Sequence, residues 1–172
     1  HSPTPVPSLT PANPFRDTVP NSFRITDCYS DSYSNTYSLT DSHTLNRGNV
    51  FNGSWAAVVK VQPNATYHDL YQRVSVAARS NVTASVWVKG SGSVELQVWG
   101  NSAWTVKLAS LRINATSTWT KFTTPVFNTG NRQRVWLSFD DAYSAAGGTM
   151  YLDEVFLGTS GGANRVSNYG FE

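Results

Sequence analysis

The chain has 172 residues, of which 40% are hydrophobic, 13% aromatic and only 14% charged, enough for one sizeable core and hardly two. Its 13 Lys/Arg and 11 Asp/Glu leave a formal charge of +2 and are scattered singly, which makes nucleic acid and anionic membrane surfaces poor partners. No apolar run approaches the ~20 residues of a bilayer crossing, and a lone Cys28 with histidines only at 1, 43 and 68 excludes an internal disulfide and Cys/His metal clusters.

Six of the eight prolines fall in residues 1–20, HSPTPVPSLTPANPFRDTVP, a Pro/Thr/Ser segment that favours extended polyproline II and reads as a linker of the kind that joins modules of secreted proteins. The single module is placed at 21–160. Residues 27–43 carry Tyr29, Tyr33 and Tyr37 among Ser, Asp and Thr with no aliphatic core, which predicts a long loop. From Phe51 the pattern changes to period two, and eight strands are expected at 51–61, 69–77, 81–89, 93–100, 104–113, 118–127, 132–140 and 148–157, separated by Gly, Asn, Ser and Pro clusters. No helical stripe competes. Eight short strands at this spacing predict an all-β fold, an antiparallel β-sandwich of jelly-roll type.

The faces of these strands single out candidate residues. Val94, Leu96 and Val98 oppose Glu95, Gln97 and Trp99; Val135, Leu137 and Phe139 oppose Arg134, Trp136 and Ser138. The aliphatic side fills the core, so the indoles of Trp99 and Trp136 face outward among polar neighbours, where an apolar ring needs an explanation. A pyranose supplies one: its axial C–H bonds pack on an indole while its equatorial hydroxyls take hydrogen bonds from adjacent polar side chains. In a jelly roll the second, seventh, fourth and fifth of the eight strands share one sheet. That sheet brings Trp99, Glu95 and Gln97 beside Trp136 and Arg134, with Tyr71 and Arg73 beyond. Trp87 falls on the other sheet, and Trp55, Trp104 and Trp119 are read as core.

An enzyme reading is weaker. A glycosidase needs two carboxylates facing one cleft, about 5–9.5 Å apart. Glu95 and Asp140 can share a face on neighbouring strands, but VELQVWG lacks the E-x-D-x-x-E motif that places nucleophile and acid in jelly-roll laminarinases. No G-x-S-x-G, H-E-x-x-H or phosphate-binding glycine loop is present.

Four stretches taken in order carry a resemblance. Leu70-Tyr71-Gln72-Arg73-Val74-Ser75-Val76, then Ala84-Ser85-Val86-Trp87-Val88-Lys89, then Thr118-Trp119-Thr120-Lys121-Phe122, then Met150-Tyr151-Leu152-Asp153-Glu154-Val155 resemble the "YQ-x-V-x-V … S-x-W-V-K … W-x-K-F … M-Y-L-D-D-V" progression of jelly-roll carbohydrate-binding modules of the family 4, 9, 16 and 22 type. The resemblance covers residues 50–158. It implies a noncatalytic, secreted module that binds a polysaccharide of the β-glucan, mannan or xylan class and holds an attached glycoside hydrolase on it. The alternative is a structural or adhesive cell-surface sandwich without a sugar cleft.

The resemblance also implies a structural Ca²⁺, with Asp153 and Glu172 as its carboxylate ligands. One departure stands out. The family opens with a strand similar to "N-L-V-S-N-G-G-F-E", whereas here Val166-Ser167-Asn168-Tyr169-Gly170-Phe171-Glu172 stands at the C-terminal end. Residues 161–172 are therefore expected to form an edge strand, docked in cis or exchanged with a neighbouring copy or module, or to begin a following module.

Overall fold

The period-two segments emerge as strands in a computed structural model that describes residues 24–25, 43–54, 56–61, 69–140, 147–167 and 170. The expectations for the 1–20 linker, most of the 27–43 loop, Trp55 and Glu172 lie outside the described residues. In chain order the strands are β1 Arg24–Ile25, β2 His43–Asn46, β3 Ala56–Val61, β4 Asp69–Ser75, β5 Asn81–Gly90, β6 Ser93–Trp99, β7 Lys107–Asn114, β8 Thr120–Thr123, β9 Phe127–Asn128, β10 Arg134–Asp140 and β11 Gly148–Gly158. Among the described residues there is no helix. One sheet has the order β1-β4-β10-β6-β7 and the other β2-β3-β11-β5-β8, with β9 also pairing to β5, and the pairs are antiparallel. This is the sandwich and the sheet partition expected from the sequence.

The core forms where the inner faces meet. Val82, Ala84, Val86 and Val88 of β5, Val94, Leu96 and Val98 of β6, Val135, Leu137 and Phe139 of β10, and Met150 and Leu152 of β11 are all buried, each set at every second position. Outward residues are thereby fixed by alternation: the burial of Val135, Leu137 and Phe139 turns Arg134, Trp136 and Ser138 to the opposite face.

Three departures stand out. The expected strand 118–127 divides into β8 and β9 around Pro125, which has no N–H for a ladder; Thr124 bridges the break, its N–H donating to the Ala84 carbonyl at 2.9 Å and its Oγ1 accepting from the Ala84 N–H at 3.0 Å. The expected strand 104–113 begins only at Lys107, because residues 100–106 form a loop held by Asn101. The segment before residue 47 also supplies an outer strand to each sheet: β1 pairs with β4 and β2 with β3, pairings that the sequence reading did not anticipate.

Residues 159–167 follow an irregular path against the sandwich. Gln72 points inward between Leu70 and Val74 and is buried. Its amide is satisfied there by the chain end, Nε2 donating to the Ser167 carbonyl and Oε1 accepting from the Ser167 N–H, each at 3.0 Å. Asn164 adds a second tie, accepting from the N–H groups of Leu157 and Val166 and donating to the Val155 carbonyl, and Val166 is buried in the core.

Candidate functional site

The outer face of the β1-β4-β10-β6-β7 sheet gathers all six candidate side chains. Register places them in rows across β4, β10 and β6: Arg73, Trp136 and Trp99 in one; Tyr71, Ser138 and Gln97 in the next; Asp69, Asp140 and Glu95 in a third. Arg134 ends β10 opposite Ser75 and is exposed. Trp99 and Trp136 face each other on adjacent strands, and both keep part of their surface in solvent.

Gln97 plays a different part from the one its residue type suggests. Only 3% of it is exposed, and its amide is committed to protein partners: Nε2 donates to Glu95 Oε2 at 2.6 Å and to Asp140 Oδ2 at 3.1 Å, while Oε1 accepts the indole N–H of Trp99 at 2.6 Å. It therefore orients Trp99 and ties two carboxylates beneath the face. Lys107 completes the clamp, with Nζ 3.3 Å from Glu95 Oε2 and 4.9 Å from the centre of the Trp99 ring, within cation–π range.

This arrangement sets the electrostatics of Glu95. Burial pushes its carboxyl up, but hydrogen bonds from Gln97, Ser110 and Lys107 and the charge of Lys107 outweigh burial and hold it below its ordinary value of 4.5. A depressed folded-state value means that Glu95 stabilises the fold above 4.5 and that this contribution is lost as pH falls through the folded value. Wild type is thus expected to lose more stability than Glu95→Gln on acidification through that range, as read from melting curves. Parallel pH profiles for the two proteins would refute the clamp.

Trp104 is a correction to the sequence reading. It lies outside the core in the 100–106 loop, with a positive φ of 56°, and its ring makes edge-to-face contacts with Tyr71 at 5.5 Å and Trp99 at 5.8 Å. Since Tyr71 is on β4 and Trp99 on β6, a ring touching both spans β10 between them. The cue was in the sequence: Gly100-Asn101 is a turn signal that delays the next strand and leaves Trp104 in the loop.

Trp119 also departs from the core expectation. It packs 5.9 Å from Phe51, which stacks on Trp87 at 3.9 Å and 16° on the other sheet. The second aromatic group is thus covered by its own loop, which a buried carboxylate anchors. Asp153 Oδ2 accepts the N–H groups of Phe51 and Asn52 at 2.8 and 3.1 Å, and Oδ1 that of Glu154 at 2.7 Å. Burial pushes the Asp153 carboxyl above the ordinary range despite these three bonds, and Glu154 adds to the rise. Ca²⁺ requires a shell of oxygens, whereas Asp153 is met by N–H groups, so its described surroundings do not fit the ion. Among the described residues no three His, Cys, Asp or Glu cluster to hold a metal.

A scan against protein-family models finds no match, and neither does a search of curated proteins. Solved structures do share the fold. A family 4 carbohydrate-binding module superposes with a TM-score of 0.51 at 18% identity, covering 67% of this chain and 76% of that one. A family 61 module in complex with β-1,4-galactotriose gives 0.53 at 14%, covering 70% and 84%. The family 30 module of a cellulosomal cellulase of Clostridium thermocellum gives 0.52 at 12%, covering 73% and 87%.

Proposed function

With the jelly-roll fold of carbohydrate-binding modules as its frame, we propose that this chain is a noncatalytic module that binds a polysaccharide of the β-glucan, mannan or xylan class along the outer face of the β1-β4-β10-β6-β7 sheet. The observation that carries this reading is the pair of indoles, Trp99 and Trp136, directly opposed on adjacent strands of an otherwise polar face, with Tyr71 one strand further on. Such rings offer C–H/π surface to pyranoses, and Arg73 and Arg134 stand beside Trp136 to bond ring hydroxyls. The module with bound galactotriose supports an oligosaccharide as the class of ligand. In the full reading the module is secreted and holds an attached glycoside hydrolase on its substrate.

Affinity electrophoresis in gels containing mixed-linkage β-glucan, glucomannan, xylan or galactan tests the reading. Retardation by at least one, with no release of reducing sugar, is expected. Unchanged mobility in all of them would leave the adhesive sandwich as the better reading, and reducing-sugar release would point to a hydrolase.

A further inference from the structure

Trp104 and Ser138 pose one problem together. Ser138 is fully buried on the outer face, between Tyr71 and Gln97 in register, and among the described residues its Oγ is a buried polar atom without a hydrogen-bond partner. Buried hydroxyls are nearly always bonded, so an orphan at a ligand face points to a missing partner. The Trp104 ring reaches across this same strand, touching Tyr71, which pairs with Ser138, and Trp99, which pairs with the neighbouring outward residue Trp136. Its backbone has φ 56°, a left-handed conformation that bulky side chains rarely adopt.

The loop that carries Trp104 is braced by its own hydrogen bonds, and its base is tied to the sheet where Arg132 Nε donates to the Gly100 carbonyl at 3.1 Å. Asn101 Oδ1 accepts from the N–H groups of Thr105 and Val106, its Nδ2 donates to Thr105 Oγ1 at 2.7 Å, and Gly100 N–H closes the base on the Val106 carbonyl at 2.8 Å. Among the described residues, the hydrogen bonds of Asn101, Trp104 and Thr105 stay within the loop. The Trp104 indole N–H has no protein partner among them, whereas the Trp99 indole is pinned by Gln97.

We propose that Trp104 is a built-in stand-in for a sugar ring: it covers a subsite with Ser138 as floor and Tyr71 and Trp99 as walls, and an incoming glycan displaces it by swinging the 100–106 loop outward. The exchange is chemically matched. A pyranose presents C–H faces to the two aromatic walls, as the indole does, and also a hydroxyl for Ser138 Oγ, which the indole leaves without a partner. Leaving the face also frees the Trp104 backbone to relax from its left-handed conformation. The closed loop lowers apparent affinity by the fraction of molecules that are open, and it selects glycans whose ring can reach the floor.

This inference rests on the carbohydrate-binding reading, and the experiment separates the two. Wild type, Trp104→Gly and Trp104→Gly/Ser138→Ala are compared in affinity gels of the four polysaccharides, with melting curves to show that each is folded. Because Trp104 lies outside the core and glycine tolerates positive φ, Trp104→Gly is expected to fold and to bind about threefold tighter or better, as for a wild type open in roughly a third of molecules or fewer. The added Ser138→Ala should remove that gain. Wild type retarded with Trp104→Gly equal or weaker would overturn the inference while leaving carbohydrate binding intact, and would make Trp104 an ordinary stacking residue. A tighter Trp104→Gly that is indifferent to Ser138→Ala would refute the floor. If no polysaccharide retards either protein, both readings fall.

Discussion

Replacing Asp153 by Ala is expected to destabilise the module by about 2–4 kcal/mol and to release the loop at residues 48–54. The substitution removes the acceptor for three backbone N–H groups at once, those of Phe51, Asn52 and Glu154. A buried donor left without an acceptor costs about 1–3 kcal/mol; the total is held below the simple sum because Phe51 and Asn52 are exposed enough for water to take over. At this chain length the loss corresponds to a fall in Tm of roughly 4–16 °C.

The effect should reach the aromatic group as well. Phe51 stacks on Trp87 because its own backbone is held by Asp153, so Asp153→Ala should shift indole emission toward that of solvent-exposed Trp while the site on the other sheet is untouched. Asp153→Asn keeps one acceptor oxygen and should fall between the two proteins. A variant as stable as wild type would show that the carboxylate is not the anchor. The same melts test the ion implied by the family resemblance: with N–H groups rather than oxygens facing Asp153, neither Ca²⁺ nor a chelator should move the Tm of wild type, and a Ca²⁺-dependent rise would reinstate the metal.

The parts of this protein that were legible in the sequence are those governed by neighbours along the chain. Alternation in VELQVW and RVWLSF assigns each side chain to a face without knowledge of its partners, since period two is a property of the single strand. The order of strands then follows from the jelly-roll connection pattern, and Trp99 comes to face Trp136 in register.

What remained hidden depends on contacts between distant segments. β1 and β2 are so short that their own residues carry no period; they are strands because β4 and β3 offer free edges. In the sequence Asp153 is singled out only through the family resemblance, and only the return of the chain at residues 51–52 makes it an anchor. At the register shift that follows it, Glu154 takes a positive φ, which brings Val155 inward after Leu152 and breaks the alternation. Gln72 occupies an inward position that a strand pattern would give to an aliphatic residue, and its satisfaction comes from Ser167, 95 residues away. Gln97 likewise reads as a ligand-binding amide until its three partners are seen.

That reassignment of Gln97 shapes the largest expected effect on function. Trp136→Ala and Trp99→Ala should each weaken polysaccharide binding about tenfold or more, since stacking on one indole contributes ~1–2 kcal/mol and a factor of ten is 1.4 kcal/mol. Both should fold, because neither ring belongs to the buried core. If Gln97 acts by holding the Trp99 ring, as its 2.6 Å bond to the indole N–H indicates, then Gln97→Met should weaken binding through Trp99. Its effect should largely vanish in the Trp99→Ala background, while it should add in full to Trp136→Ala, a residue it does not bond. A direct hydrogen bond from Gln97 to the sugar predicts the opposite, an undiminished loss in the Trp99→Ala background. Titration of the three single and two double variants with the polysaccharide that retards wild type decides between the two. Equal affinity of Trp136→Ala and wild type, both folded, would remove Trp136 from the site altogether.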